Sequence, residues 1–239
     1  MDPHAITMVA NAFGEALRLL TSFDAELIGI VGLSLQVSLG ALFIAALIGL
    51  PFGAALALYE FPGRRSITVL LNALMGLPPV VVGLFVYLVL SRSGPLGFLE
   101  LLFTPTAMVI AQTILITPIV AALTRQLTED LWREYGEQLR SLGSGAGRAI
   151  PTLLWDGRYA LVTVLLAGLG RAMAEVGAVM IVGGNIAGFT RVMTTSIALE
   201  TSKGNLSLAL GLGLVLMLLA LLVNAAAHLV RETAARQLG

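Results

Sequence analysis

The chain has 239 residues, of which 57% are hydrophobic and only 12% charged, and its 14 basic and 14 acidic side chains give a formal net charge of zero. Soluble domains carry about 25% charged residues, so this composition is typical of a membrane protein, and the lack of any basic block argues against binding to nucleic acid. Because the sequence contains no cysteine, disulfides, thiolate catalysis and cysteine-bound metals are excluded.

The N-terminal segment, residues 1–26, lacks the basic region of a secretory signal peptide. Within it, residues 5–20 place apolar side chains at helical spacing. Two interpretations stand equally: an amphipathic helix on the outer membrane interface, or an additional helix packed on the bundle.

Repeated apolar runs predict an all-α integral membrane domain over residues 27–230 with five transmembrane helices. About 20 helical residues cross a hydrocarbon core of ~30 Å, and helices satisfy every backbone polar group internally. The predicted spans are 27–58, 67–90, 107–123, 159–182 and 206–230.

The second of these spans contains Pro78 and Pro79. The two prolines remove two backbone donors, so they are expected to kink the span or to split it into two half-helices or a re-entrant turn. In the second case the helix count becomes six. The Leu- and Phe-rich stretch 92–104 that follows is predicted to form a short interfacial helix.

Residues 123–158 form a charged island with five arginines between two apolar spans. Cytoplasmic loops carry an excess of Lys and Arg, which places the island inside the cell. Five crossings then put nine basic residues inside and four outside, with the N-terminus outside and the tail, residues 231–239, in the cytoplasm.

Within the island, apolar side chains recur every three to four residues from Leu131 to Leu142, and Gly143 follows them. This periodicity predicts an amphipathic helix with a left-handed glycine cap. On periodicity alone, the segment is either a loop that covers the end of the bundle or a lever that inserts into a partner.

The island resembles the EAA loop, E-A-A-x-x-x-G-x9-I-x-L-P, of type I ABC-importer permeases. Glu137 and Gly143 match it, whereas Gln138 and Leu139 replace the two alanines and residues 153–156, Leu-Leu-Trp-Asp, stand where I-x-L-P is expected. Residues 170–186, GRAMAEVGAVMIVGGNI, and residues 154–159, LWDGRY, are similar to the molybdate/sulfate/tungstate family, and most of all to tungstate permeases.

This resemblance implies the type I importer fold, with residues 124–158 as the loop that couples to an ATPase. It implies a homodimer in the prokaryotic inner membrane, two ATPase subunits that bind ATP and Mg²⁺, and an extracytoplasmic oxyanion-binding protein. The chain contains no G-x-x-x-x-G-K-[ST] phosphate loop, so it is expected to be a non-catalytic membrane subunit without a cofactor or metal of its own. The residues expected to couple to the ATPase are Tyr135, Glu137, Leu139, Leu142, Gly143 and Ser144.

Arg171 and Glu175 are charged residues inside the fourth predicted span, four positions apart and so expected on one helix face. A central charge costs about 2.5–3.5 kcal/mol on the insertion scale. The two are therefore either a mutually neutralising pair or groups beside the translocation path. The full set of path or gate candidates is Arg171, Glu175, Gly183, Gly184, Asn185, Thr194 and Thr195. Asn185, Thr194 and Thr195 either line the path or form hydrogen bonds with backbone groups at helix ends. Gly183 and Gly184 either act as hinges of a gate or allow close packing of helices.

Two further classes of function compete with the importer. A self-sufficient secondary transporter or channel for a small anion would show inverted repeats and broken helices; Pro78-Pro79 offers one break, but no second half matches the first. An integral-membrane enzyme would need clustered His, Asp or Glu residues, and the two histidines, His4 and His228, are far apart in sequence.

Overall fold

The computed structural model describes Gly14 and residues 25–236. The predicted N-terminal amphipathic helix, apart from Gly14, and residues 237–239 lie outside the described residues. Within the described part of the chain the structure is α-helical, as the apolar spans predict. The helices are α1 (Ala25–Leu58), α2 (Arg64–Leu74), α3 (Pro79–Leu90), a 3-10 turn (Gly97–Leu99), α4 (Pro105–Ser141), α5 (Ala146–Asp156), α6 (Arg158–Met173), α7 (Gly177–Gly183), α8 (Met193–Ser202) and α9 (Leu206–Arg236).

Three described helices are long and apolar enough to cross a membrane by themselves: α1, α4 and the Leu206–Ala226 part of α9. Two bent pairs, α2 with α3 and α5 with α6, bring the number of spans to as many as five. The predicted number, five, is the upper of these counts, and the bent pair α5 with α6 takes the place of the continuous span predicted over 159–182.

The break predicted at Pro78-Pro79 is present, because α2 ends at Leu74 and α3 begins at Pro79. Two other elements differ from the prediction. The span at 107–123 and the amphipathic helix of the island are one continuous helix, α4, and Pro118 lies inside it. The predicted interfacial helix at 92–104 is reduced to the 3-10 turn.

The described residues form two compact units in terms of their contacts. The first comprises the described parts of Met1–Leu39, Pro79–Ala111 and Met173–Ala225, and the second those of Gly40–Pro78, Gln112–Ala172 and Ala226–Gly239.

In the first unit, α3 packs closely on α7. A side chain at Gly83 would meet the backbone of Ala178, at 2.7 Å from its Cα. The loop before α4 packs on α7 as well, because the amide of Phe103 donates to the carbonyl of Val182 at 2.9 Å. A separate apolar cluster joins α1, α8 and α9 through Leu27, Met193, Leu212 and Val215.

In the second unit, glycines let α1 and α6 approach α4. Gly53 lies against the carbonyl of Ala121, and Gly168 lies against Ile116 and Val120. Small residues of this kind allow close helix packing in membranes. Buried Leu56, Leu71, Ala121 and Ala122 then join α1, α2 and α4.

Candidate functional site

The six residues predicted to couple to an ATPase lie together at the C-terminal end of α4 and the turn after it. Tyr135, Leu139 and Ser144 are half-buried, whereas Glu137, Leu142 and Gly143 are exposed. Leu142 is 83% exposed. This end of α4 thus offers an apolar side chain to solvent at the turn of a hairpin.

The turn is a Schellman motif built on Gly143. Gly143 has φ +75°, its amide donates to the carbonyl of Arg140, and the amide of Ser144 donates to the carbonyl of Leu139, each at 2.9 Å. These two bonds satisfy carbonyls that the end of α4 leaves unpaired. The predicted glycine cap is confirmed, and it fixes where the chain leaves α4 to enter α5.

An apolar cluster attaches the α4–α5 hairpin to the end of α1. Its buried members are Ala57, Leu58, Ala149 and Leu153, and the partly buried residues packed on it are Leu131, Trp132, Leu139, Ala146 and Ile150. Both helices of the hairpin contribute to this cluster, so the hairpin packs on the end of α1 within the second unit.

Trp155 on α5 is a further exposed apolar side chain, and it was not among the residues predicted from the sequence to contact an ATPase. It is 72% exposed, and the guanidinium of Arg158 lies 5.0 Å from its ring centre. An exposed tryptophan stacked with an arginine is typical of a surface that contacts a partner or a membrane interface. The signal was present in the sequence, because Trp155 lies in the segment that corresponds to the end of the EAA signature.

The path candidates Gly183, Gly184, Asn185, Thr194 and Thr195 lie in the first unit, where α7 ends and α8 begins. Gly183 is buried against Met108. The Asn185 side-chain amide donates weakly to the carbonyl of Thr195 at 3.5 Å, and its Oδ1 is buried with no hydrogen-bond partner among the described residues.

The two threonines satisfy backbone groups near helix ends, which was the competing role. The hydroxyl of Thr195 accepts from the amide of Val192 at 3.1 Å, and the hydroxyl of Thr194 donates to the carbonyl of Glu175 at 2.8 Å. Both side chains are buried. The structure thus brings Thr194 and Glu175 together.

The spacing of Arg171 and Glu175 predicted that both lie on one helix, but Glu175 lies outside the helix that contains Arg171. The helix α6 ends at Met173 and α7 begins at Gly177, so the predicted span 159–182 is interrupted between the two residues. Arg171 is half-buried in the last turn of α6, whereas Glu175 is 3% exposed in the interruption. There the Glu175 Oε1 accepts the amide of Ala178 at 3.0 Å, so its carboxylate caps the first turn of α7.

Gln112 is a buried polar residue that the sequence reading missed. Its Nε2 donates to the carbonyl of Ala172 at 3.1 Å, and this carbonyl lies in the last turn of α6. A buried carbonyl at a helix end needs such a partner. A glutamine inside an apolar span was the signal that could have found it.

Curated proteins similar to this chain are membrane permeases. The tungstate uptake system permease protein TupB of Peptoclostridium acidaminophilum is 42% identical over 224 residues, which cover 94% of this chain and 98% of that protein. A probable anion ABC transporter permease protein of Haloferax volcanii is 41% identical over 83% of this chain and 88% of its own length.

The TupB protein of Campylobacter jejuni is 37% identical and covers 94% of each chain, and a sulfate transport permease, CysW of Synechococcus elongatus, is 26% identical over 79% of this chain. No protein-family model matches the chain. The relatives at 37–42% identity cover most of both chains and confirm the resemblance that the loop motif indicated. The chain therefore belongs to the ABC-transporter permeases, in the family that includes the tungstate uptake permeases, and it is a multi-pass membrane subunit of the transport type rather than an enzyme.

Proposed function

We propose that this chain forms the translocation path of an ABC importer for tungstate, with molybdate and sulfate as the next candidates. The observation that carries the proposal is the 42% identity, over 94% of the chain, to a permease of a tungstate uptake system. Sulfate permeases match at lower identity, 26–31%. This order supports a tetrahedral oxyanion as the cargo and tungstate before sulfate.

The proposed assembly contains two copies of this chain, two ATPase subunits that bind ATP and Mg²⁺, and an extracytoplasmic oxyanion-binding protein. Energy for transport then comes from the ATPases, and the chain converts their movement into opening and closing of the path.

The proposed contact with the ATPase is the α4–α5 hairpin, within the coupling loop 124–158. Exposed Leu142 beside the capped turn supports this role, because an apolar side chain on a fixed turn can fill a pocket of a partner with little loss of entropy. Tyr135, Glu137, Leu139, Gly143 and Ser144 either present or shape the same end of α4. Trp155 extends the candidate surface onto α5.

The proposed orientation places the N-terminal segment outside and residues 231–239 in the cytoplasm of a prokaryotic cell, with the chain in the inner membrane. The five arginines of the island support it, since basic loops face the cytoplasm. Arg64 and Arg65, at the start of α2, lie on the same side in this arrangement.

The candidate path residues are, in the first unit, Glu175, Gly183, Gly184, Asn185, Thr194 and Thr195 and, in the second, Arg171. Among these, the support is most direct for Asn185, because its buried Oδ1 has no partner among the described residues. A buried polar atom without a partner is rare in a folded protein and needs an explanation. We propose that Asn185 gains its missing partner in another state of the transport cycle.

The test of the coupling role is the substitution Gly143→Arg. Apart from the two neighbouring residues in the chain, no atom lies within 4 Å of a Cβ placed at Gly143, so the expected internal cost of the substitution is the left-handed backbone. We expect the variant to insert normally and to lose ATP-driven uptake, because the arginine enlarges the turn between α4 and α5, residues 142–145, which we call the docking turn. Normal uptake by the variant, with the ATPase bound, would contradict the proposal.

A further inference from the structure

Arg64 connects three elements of the second unit. Its Nε donates to the carbonyl of Leu56 and its Nη2 to the carbonyl of Ala57, each at 2.8 Å. The same Nη2 forms an ion pair with Glu129 Oε1 at 2.7 Å. Arg64 therefore caps the C-terminal end of α1 and fastens it to α4, from its own position at the start of α2.

The position of Arg64 at the start of α2 does not stabilise that helix. A cation at a helix N-terminus is unfavourable to the helix dipole, and the first turn of α2 holds no acidic residue and has no side-chain cap. By contrast, a guanidinium at the C-terminal end of α1 faces unpaired carbonyls and the negative end of that dipole. The contacts that Arg64 makes thus serve α1 and α4.

Glu129 is the acceptor on which this cluster depends. Its second oxygen, Oε2, accepts from Arg125 Nη1 at 2.6 Å, and the three side chains are only 16–29% exposed. Near Glu129 on α4, Arg125 Nε and the hydroxyls of Thr124 and Thr128 are buried with no partner among the described residues. Removal of the Glu129 charge would leave the two arginines that it now pairs with close together in a partly buried site.

The geometry connects this cluster to the docking turn. Glu129 and Ser141 lie on the same helix, and the twelve residue steps from one to the other span roughly 18 Å at 1.5 Å per step. A displacement of the turn therefore moves Glu129 as well. The apolar cluster between the hairpin and α1 is not directional, so it permits sliding, whereas the forked bonds of Arg64 fix the position of α1 along α4.

We infer that Arg64, Glu129 and Arg125 form a clasp that transmits movement of the coupling loop to α1 and α2, so that ATP hydrolysis without the clasp no longer drives transport. These are positioning residues and need touch neither cargo nor nucleotide. The inference rests on the proposed function, because it requires an ATPase that acts on the α4–α5 hairpin.

The test uses the complete assembly of permease, ATPase and binding protein in liposomes, and it measures tungstate uptake and ATP hydrolysis together. In Glu129→Gln we expect uptake per ATP to fall about tenfold while ATP hydrolysis continues. Asp130→Asn is the matched control, since it removes an adjacent, exposed carboxylate whose described ion pair is with Arg133 at 3.6 Å. It is expected to stay within about twofold of the native ratio.

Three results decide the outcome. If Glu129→Gln keeps the native uptake per ATP, the inference is overturned. It is also overturned if uptake and hydrolysis fall in equal proportion, because the cluster would then affect only stability or the rate of the cycle. If Glu129→Gln fails to assemble, Arg64→Lys carries the test. The lysine keeps the charge but not the fork, so partial uncoupling is expected, and full coupling would overturn the inference.

A second readout needs no cargo and separates failure of the clasp from failure of the proposed function. The chain contains no cysteine, so spin labels can be placed through Phe61→Cys and Arg148→Cys, both at exposed positions. We expect the distance between the labels to be the same with and without ATP in the native assembly, and to shift or broaden with ATP in Glu129→Gln. A distance that changes with ATP in the native assembly would overturn the clasp, whereas absence of oxyanion uptake by that assembly would contradict only the proposed cargo.

Discussion

The carboxylate of Glu175 accepts the backbone amide of Ala178 at 3.0 Å, across the interruption between α6 and α7. The carbonyl of Glu175 also accepts the hydroxyl of Thr194 at 2.8 Å. Both bonds are buried, so they hold the interruption in one conformation. The interruption is therefore a stable part of the first unit. Membrane proteins tolerate broken helices where buried groups form hydrogen bonds with the backbone groups that the break leaves free.

Glu175→Ala removes the cap of α7 and is expected to destabilise the protein by about 1 kcal/mol, the usual cost of losing a helix N-terminal cap. Glu175→Gln retains an oxygen that can accept the amide of Ala178 and is the matched control. The melting temperature of the detergent-solubilised protein measures both. Equal losses for the two variants would show that the charge, and not the hydrogen bond, stabilises the interruption.

Gly83→Ala tests the close packing of α3 on α7. Its Cβ would lie 2.7 Å from the Cα of Ala178, so the helices must separate, and overpacking of this kind costs about 1–3 kcal/mol. Gly170→Ala is the control, because no atom lies within 4 Å of a Cβ there, and alanine within a helix is favoured over glycine by roughly 0.5–1 kcal/mol. We expect a lower melting temperature for the first variant and an equal or higher one for the second; the reverse order would contradict the packing.

Gly143→Ala tests the cap at the docking turn. With φ at +75°, a non-glycine residue costs about 1–2 kcal/mol, although the surrounding space is open. Gly143→Asn is expected to cost less, since asparagine tolerates the left-handed region. Hydrogen exchange of the amides of Gly143 and Ser144 reports the cap directly, and protection in the alanine variant equal to that of the native protein would contradict the prediction.

Glu200 gives a pH-dependent contribution to stability. The hydrogen bond from the ammonium of Lys203, at 2.7 Å, is the main cause that lowers the pKa of Glu200 below its ordinary value of 4.5, and the amide of Asn205 contributes. Because the folded state favours the ionised form, this contribution is present in full above about pH 4.5 and is lost as the pH falls through the lowered pKa.

The measurement is the difference in melting temperature between the native protein and Glu200→Gln. We expect the native protein to melt higher at pH 7 and the difference to shrink as the pH approaches 3. A difference that stays constant over this range would mean that the charge of Glu200 does not contribute.

Local chemistry explains which elements were predictable from the sequence. Pro78-Pro79 lack two backbone donors, so the break between α2 and α3 follows from the residues alone. Gly143 stands directly after an apolar period, so the end of α4 follows from glycine's tolerance of positive φ. The spans of α1 and α9 follow from uninterrupted apolar length.

Other features depend on partners that are distant in sequence. The interruption at Glu175 contains no proline. It is held by hydrogen bonds to Ala178 and Thr194, which no local sequence pattern predicts. The clasp joins Arg64 to Glu129 across 65 positions, so neither residue was singled out by its neighbours. The continuity of α4 was available from the sequence, because no glycine lies between Pro118 and Trp132, but the change from apolar to charged composition obscured it.

The measurement that tests the central claim most directly is ATP-driven uptake of tungstate, molybdate and sulfate into vesicles that contain this chain, its ATPase and its binding protein. The account predicts uptake that requires all three components and is highest for tungstate. Uptake by this chain alone, without ATP, would contradict the account and favour a secondary transporter; an intact assembly that takes up none of the three anions would contradict the proposed cargo.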